Sequence, residues 1–418
     1  MSSSDTEVAV IGGGAAGIAA ARRLHEAGVA CVIIEARDRL GGRAWTVTDP
    51  DGHGIDLGCG WLHSADRNPW RAIAQAQGLT LDDTPPPWAR PSLPVGFSLT
   101  DQHAFLQAQH RFYERLAAAE HAPDQPASAL LEPGGRWNAL LDAVNTYVSG
   151  AELEQVSAVD LARYDDSGIN WRVEEGLGTA IAGHGAGLAA ARDCPVQRID
   201  HGGQRLRIET QRGTFTADQA IVALPSAIIA QQPELFVPRL PDKTDDAAGL
   251  PLGLADKLFL ALDRPDEFET DSRLVGRTDS VATATYHLRP FGRPQIEAYF
   301  GGSLAAELEQ AGDAAFTDFA VGQLKDLLGN AFARRVRPLR VHAWRRDPFA
   351  RGSYSYARPG HADARARLAA PVDDRLFFAG EACSLADFST AHGAYLTGVA
   401  AAEKVIAARG VASGGAIA

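Results

Sequence analysis

The run from Glu7 to Ala36, EVAVIGGGAAGIAAARRLHEAGVACVIIEA, leaves this chain few ways to fold. EVAVI reads as a short buried strand, and Gly12-Gly13-Gly14-Ala15-Ala16-Gly17 follows at once. IAAARRLHEAG then repeats apolar residues at helical spacing, with Ile18, Ala21 and Leu24 inward and Gly28 placed to end the helix. VACVIIEA is a second buried strand, so the segment is a β-α-β unit that opens a parallel doubly wound sheet. A G-x-G-x-x-G run is a weak sign by itself; between a strand and a helix it acquires a meaning. Gly12 allows the tight turn, Gly14 the close approach of a pyrophosphate, and Gly17 the packing of helix on strand. The helix N-terminus offers the phosphates free N–H groups and a partial positive charge. Glu35 ends the second strand, where a carboxylate can accept both ribose hydroxyls, and an acid there disfavours a 2′-phosphate and hence NADP. The segment reads as a dinucleotide site.

The rest of the chain bounds the class. Its 418 residues suggest two domains or one large interleaved one. A net charge of −12 argues against nucleic acid or an anionic membrane as the main partner. Cys31, Cys59, Cys194 and Cys383 are scattered, which gives neither a zinc site nor a disulfide framework and fits a reducing cytosol. No basic and apolar leader precedes the first strand, and apolar runs such as IVALPSAIIA are short for a bilayer. A soluble, cytoplasmic protein is expected, with the tail ARGVASGGAIA frayed.

Composition shifts at LDDTPPPWARPSLPVG (81–96), whose prolines mark a boundary loop. DQHAFLQAQHRFYERLAAAE is helical, with Phe105, Phe112 and Leu116 on one face, and GLGTAIAGHGAGLAAA is a helix entered through glycines. PVQRIDHGGQRLRIETQRGTFTADQAIVALP reads as a β-meander. Strands DKLFLALD and QIEAYFGG, a helix around 313–328, the strand in RLFFAGEAC and the closing helix GAYLTGVAAAEKVIAA complete the pattern.

Directly after the acid, EARDRLGGRAWT (35–46) resembles the second fingerprint of the flavin-dependent amine oxidase superfamily. The resemblance continues in order through GIDLGCGWLH (54–63), CPVQRID (194–200), LPLGLADKLFL (250–260) and LFFAGEA…TAHGAYLTGVAAAEKVI. It implies FAD as cofactor, with Arg37 and Arg43 at the phosphates and adenosine, where two guanidinium groups could make charge-assisted contacts. GIDLGCGWLH would pass beside the isoalloxazine, Val196 would meet the adenine region, and Gly380-Glu381 the ribityl chain. The implied cofactor set is Gly12, Gly14, Ala16, Gly17, Glu35, Ala36, Arg37, Gly42, Arg43, Gly60, Trp61, Val196, Trp344, Gly380, Glu381, Ala394, Tyr395 and Leu396. The implied fold is α/β: a discontinuous Rossmann-like domain from 1–80, 190–249 and 346–418, and a mixed-sheet and helical substrate domain from 81–189 and 250–345.

For the chemistry, the resemblance makes Lys257 the lysine that holds a water against the flavin and is linked to its reoxidation. It puts Tyr354, in GSYSY, and Tyr395, in GAYLTG, as two parallel walls that steer the amine and exclude water. Ser353 stands where the monoamine oxidases carry a cysteine bonded to FAD, so noncovalent FAD is expected; Cys383 lies outside that position. His63 resembles the histidine of animal-type polyamine oxidases, as proton acceptor, amine-binding group or structural residue. Trp344 would pack behind the tyrosines. No metal site is expected. The acids Asp66, Asp82 and Asp83 are candidates for a polycation only by neighbourhood.

The expected reaction transfers a hydride from the α-carbon of a primary or secondary amine to FAD, O₂ reoxidises the flavin to give H₂O₂, and the imine hydrolyses to an aldehyde or ketone. The partners are then a small amine and O₂, in a monomer or homodimer. An L-amino-acid oxidase would need an arginine such as Arg289 or Arg172 in its pocket; a desaturase of the same fold, or a non-catalytic FAD-binding subunit, are the other readings.

Overall fold

A computed structural model of the chain describes residues 3–410; the tail 411–418 lies outside the described residues. The glycine turn is built as its sequence requires, with strand Val8–Ile11, helix Ala15–Glu26 and strand Cys31–Ile34 in direct succession. These strands sit at the centre of a five-stranded parallel sheet ordered Leu376–Phe378, Gln219–Val222, Val8–Ile11, Cys31–Ile34, Ala190–Ala191. Its members come from three well-separated parts of the chain. All four residues of Val8–Ile11 are buried, as a parallel strand covered on both faces must be.

One face of the sheet is covered by the glycine-loop helix and the closing helix Ala391–Ala408, with Ile18, Leu24, Ala402, Val405 and Ile406 in one core. These helices touch backbone to backbone: a Cβ on Gly398 would lie 2.1 Å from the carbonyl oxygen of Ala16. Leu177, Ala180 and Ile181 of the helix Leu177–His184 join the same core. The expected meander forms a second sheet, with Val196–Asp200, Leu206–Thr210 and Gly213–Ala217 paired antiparallel.

A third sheet is ordered Ser272–Val275, Thr285–Leu288, Gln295–Gly301, Ala255–Leu262, Val336–Val341, all antiparallel. Its alternation is clean on one side: Leu258, Leu260, Tyr286, Leu288, Ile296 and Ala298 enter an apolar core under the helix Asp313–Leu328. The opposite face carries Lys257, Phe259, Glu297 and Tyr299 and turns toward the dinucleotide side of the molecule. The helix Leu99–Ala119 buries Phe105, Phe112 and Leu116 in a separate cluster. Among the described residues, no helix is long and apolar enough to cross a membrane.

Candidate active site

A cavity of about 640 Å³ runs from the glycine turn to the third sheet. At its first end lie Gly12, Gly14, Ala16, Glu35, Ala36 and Arg37. Gly12 has φ +101°, and a Cβ there would stand 2.6 Å from the carbonyl oxygen of Ala223, so the turn requires glycine. At Gly14 the space is open: the nearest atom to a Cβ would be Gly42 Cα at 3.9 Å. The helix N-terminus behind it has no side-chain cap, so its first N–H groups remain available to an anion. Glu35 accepts hydrogen bonds from the backbone N–H of Gly13 (2.6 Å) and Arg37 (2.9 Å), which fix its carboxylate at the cavity edge. Val196 lines the same end. An open cradle, uncapped N–H groups and a fixed acid suit a dinucleotide with free ribose hydroxyls.

Gly17 performs its part without reaching the cavity: a Cβ would meet the Gly12 carbonyl oxygen at 1.9 Å. Arg37 and Arg43 both line the wall, each already engaged with a carboxylate. Arg37 binds Asp347 at 2.7 Å, and Arg43 binds Glu381 at 2.8 Å and the carbonyl of Ser353 at 2.8 Å. Glu381 also accepts from the Ser355 hydroxyl (2.6 Å) and the N–H of Ser389 (3.1 Å). Burial pushes its carboxyl up, but Arg43, the Ser355 hydroxyl and Arg365 outweigh that and hold it below the usual range. Arg365, buried and paired with Asp160 at 2.7 and 2.9 Å, reaches Ser355 from behind. Sequence reading missed this second layer, because neither residue lies in a recognisable motif.

At the other end, Gly60, Trp61, His63, Lys257, Trp344, Ser353, Tyr354 and Ala394 line the cavity, with Gly42, Gly380 and Glu381 between. Lys257 is buried; its Nζ donates to the carbonyl of Asp56 at 2.9 Å and lies 3.0 Å from Glu297. Gly60 leaves it room, since a Cβ there would come within 3.3 Å of that nitrogen. Leu258 and Leu260 follow Lys257 in the strand, but its side chain itself meets a carboxylate that approaches across the sheet. His63 Nδ1 is 2.6 Å from Asn170 Oδ1, an arrangement that makes Nδ1 the donor and leaves Nε2 its lone pair. Burial pushes the ring's pKa below its ordinary 6.5, with the Asn170 bond opposing, so the imidazole is neutral at pH 7. Trp344 Nε1 donates to the carbonyl of Leu57 at 3.1 Å, locking the indole behind the wall. Ser353 Oγ is held by the backbone of Ala255 (2.9 and 3.1 Å).

Two expected residues fall elsewhere. Tyr395 is absent from the lining; its ring packs on Trp70, centroids 5.1 Å apart, in the core beneath the closing helix. Leu396, one step further round, is exposed. One residue along a helix turns a side chain by about 100°, and here Ala394 is the position that faces the cavity. The pair of tyrosine walls is therefore corrected: Tyr354 lines the cavity with Tyr147 and Tyr299. The Tyr354 hydroxyl donates to the Tyr147 carbonyl, tying the wall to the helix Asn138–Ser149. Neither Arg289 nor Arg172 lines the cavity.

Residues 15–175 and 152–406 match the family described as flavin containing amine oxidoreductase. The chain is 30% identical to polyamine oxidase 5 of Oryza sativa subsp. japonica, over 96% of this chain and 88% of that protein. It is 29% identical to probable polyamine oxidase 4 of Arabidopsis thaliana, over 95% and 86%. A solved structure of a putrescine oxidase redesigned in its cofactor binding superposes with TM-score 0.76 at 17% identity, covering 97% of this chain and 100% of that one, which is the same fold.

Proposed function

The chain belongs to the flavin-containing amine oxidoreductase family, a flavin-containing amine oxidase with FAD as cofactor, and from that premise we propose that it oxidises a small primary or secondary amine at its α-carbon. The observation that carries the reading is the single cavity joining the glycine turn and Glu35 to Lys257, His63 and Tyr354. Gly12, Gly14, Glu35, Arg43 and Glu381 would hold the cofactor along it. When bound, FAD would supply the redox chemistry, namely acceptance of a hydride from the amine α-carbon and return of the electron pair to O₂ as H₂O₂.

The chain's own residues do the rest. Tyr354, Tyr147, Tyr299 and Trp61 exclude water and offer ring faces to an amine and its carbon chain. His63, neutral and fixed by Asn170, can accept a proton from the substrate nitrogen, which must be uncharged for its α-hydride to leave. Lys257 holds its Nζ at the cavity wall through the Asp56 carbonyl, where it would serve reoxidation by O₂. The imine that leaves hydrolyses in water to an aldehyde or ketone and an amine or ammonia.

The lining supports an amine with one charge and an apolar body. Its two glutamates, Glu35 and Glu381, are both held in hydrogen bonds on the cofactor side, and among the described residues no other carboxylate side chain is part of it. The relatives named for polyamines keep di- and polyamines in the first panel. Mixing the yellow protein anaerobically with monoamines, diamines, polyamines and L-amino acids tests the reading. Bleaching by at least one amine, fastest with an apolar monoamine, is expected; no bleaching by any amine would sink it.

A further inference from the structure

The face of the third sheet that meets the cavity carries more charge than its position explains. Antiparallel pairing sets Lys257 opposite Tyr299 and Phe259 opposite Glu297, while His287 pairs with Glu297 from the next strand. Glu297 is wholly buried, 3.0 Å from Lys257 Nζ and 3.1 Å from Arg172. Arg172, itself buried, lies over the rings of Trp61 (4.9 Å) and Phe291 (4.6 Å), and two of its nitrogens have no hydrogen-bond partner among the described residues. His287 Nε2 binds Asp271 at 2.8 Å, and its Nδ1 lies 3.9 Å from Glu297. A buried, incompletely bonded ion cluster is poor stabilisation, since apolar side chains of similar volume would serve the fold as well or better. Such a cluster beside a cavity asks for a functional account.

We propose that Glu297 is the positioning residue for Lys257: its carboxylate, anchored by Arg172 outside the cavity, fixes the lysine Nζ at the wall and balances its charge beside the flavin. The inference rests on the reading of Lys257 as the residue that serves reoxidation. The geometry supplies both parts. Lys257 is held from two sides, by Glu297 and by the Asp56 carbonyl, so its long side chain keeps one position. Without Glu297, Lys257 and Arg172 would face each other's charge with no anion between them, and the region beside the cofactor would become more positive.

Glu297→Gln keeps the shape and removes the charge. In the holoprotein it is expected to slow reoxidation of the reduced flavin by O₂ about tenfold, an ordinary coupling between neighbours, while FAD affinity stays within about twofold. The oxidised flavin should bind sulfite about tenfold more tightly, because an anionic adduct gains from the uncompensated cations. Lys257→Met alone should slow reoxidation, and Glu297→Gln should add nothing to it in that background. If Lys257→Met slows reoxidation and Glu297→Gln changes neither reoxidation nor sulfite affinity, or if its effect on reoxidation persists in full without the lysine, the inference is wrong. Unchanged reoxidation in Lys257→Met instead overturns the reading of Lys257, and this inference with it. Should Glu297→Gln fail to fold, Glu297→Asp, which withdraws the carboxylate by one methylene, should reoxidise more slowly with sulfite affinity near the original. Behaviour of that variant like the wild type in both would also overturn the assignment.

Discussion

Tyr354 and Tyr395 have the same side chain and opposite places. Tyr354 stands in the cavity wall, while Tyr395, half-buried, packs on Trp70 against the core. Tyr354→Ala is therefore expected to raise KM for the amine about tenfold or more through lost ring contact and admitted water. Tyr395→Ala should leave KM within about twofold and cost about 1–3 kcal/mol of stability, as truncation of a half-buried aromatic does. Steady-state kinetics and denaturant unfolding on both variants decide it, and a KM effect confined to Tyr395→Ala would reverse the correction. Lys257, His63 and Tyr354 were legible because each sits inside a motif whose neighbours fix its register. Glu297 was not: in QIEAYFGG a lone acid between apolar residues looks like a solvent-facing strand position. Only the pairing with Ala255–Leu262 brings Lys257 to it.

At the scale of elements, the β-α-β opening was the most legible part, because strand, glycine turn and helix are local and each glycine has a steric task. Gly17 and Gly14 separate two of those tasks. A Cβ on Gly17 would lie 1.9 Å from a backbone oxygen that no side-chain rotation can move, so Gly17→Ala should destabilise the fold by about 3 kcal/mol or more. A Cβ on Gly14 meets nothing closer than 3.9 Å and the residue's φ is −79°, so Gly14→Ala should stay within about 1 kcal/mol as apoprotein. It should nevertheless bind FAD at least about tenfold more weakly, because the Cβ occupies the phosphate cradle. Apoprotein unfolding and flavin titration check the pair; unchanged FAD affinity in Gly14→Ala would remove the cradle from the account. The closing helix shows what element-level reading lost. Its buried stripe, Ala394, Gly398, Ala401, Ala402 and Val405, is written in small residues at helical spacing. That stripe, and not the aromatic next to Ala394, marks the face turned inward.

Across the whole molecule, the cavity is closed by charges that meet only in the fold. Arg43 reaches Glu381 across 338 residues of sequence, Arg37 reaches Asp347 across 310, and Lys257 pairs with a carboxylate on the neighbouring strand, diagonal to it in the register. No local pattern carries such contacts, which is why the cofactor motifs could be read and the network joining them could not. The network has a thermodynamic signature. Glu381, Asp271 and Asp347 all titrate below their ordinary values, burial raising each and neighbouring cations or hydrogen bonds outweighing it. Glu297 is held at about 2 against an ordinary 4.5, its burial overcome by Arg172, Lys257 and His287. A carboxylate depressed in the folded state binds fewer protons there than in the unfolded chain. Its contribution is complete above its unfolded pKa and is lost as pH falls through the folded one, so for Glu297 the window runs from about 4.5 down to about 2. Unfolding free energy should fall steeply as pH is lowered through that window. Glu297→Gln, less stable at pH 7, should lose less across it, by a difference on the order of 3 kcal/mol. Urea unfolding of both proteins at several pH values measures the two slopes. Parallel curves would mean that Glu297 is not held ionised in the fold, and that the anion between Lys257 and Arg172 is not the source of the acid sensitivity.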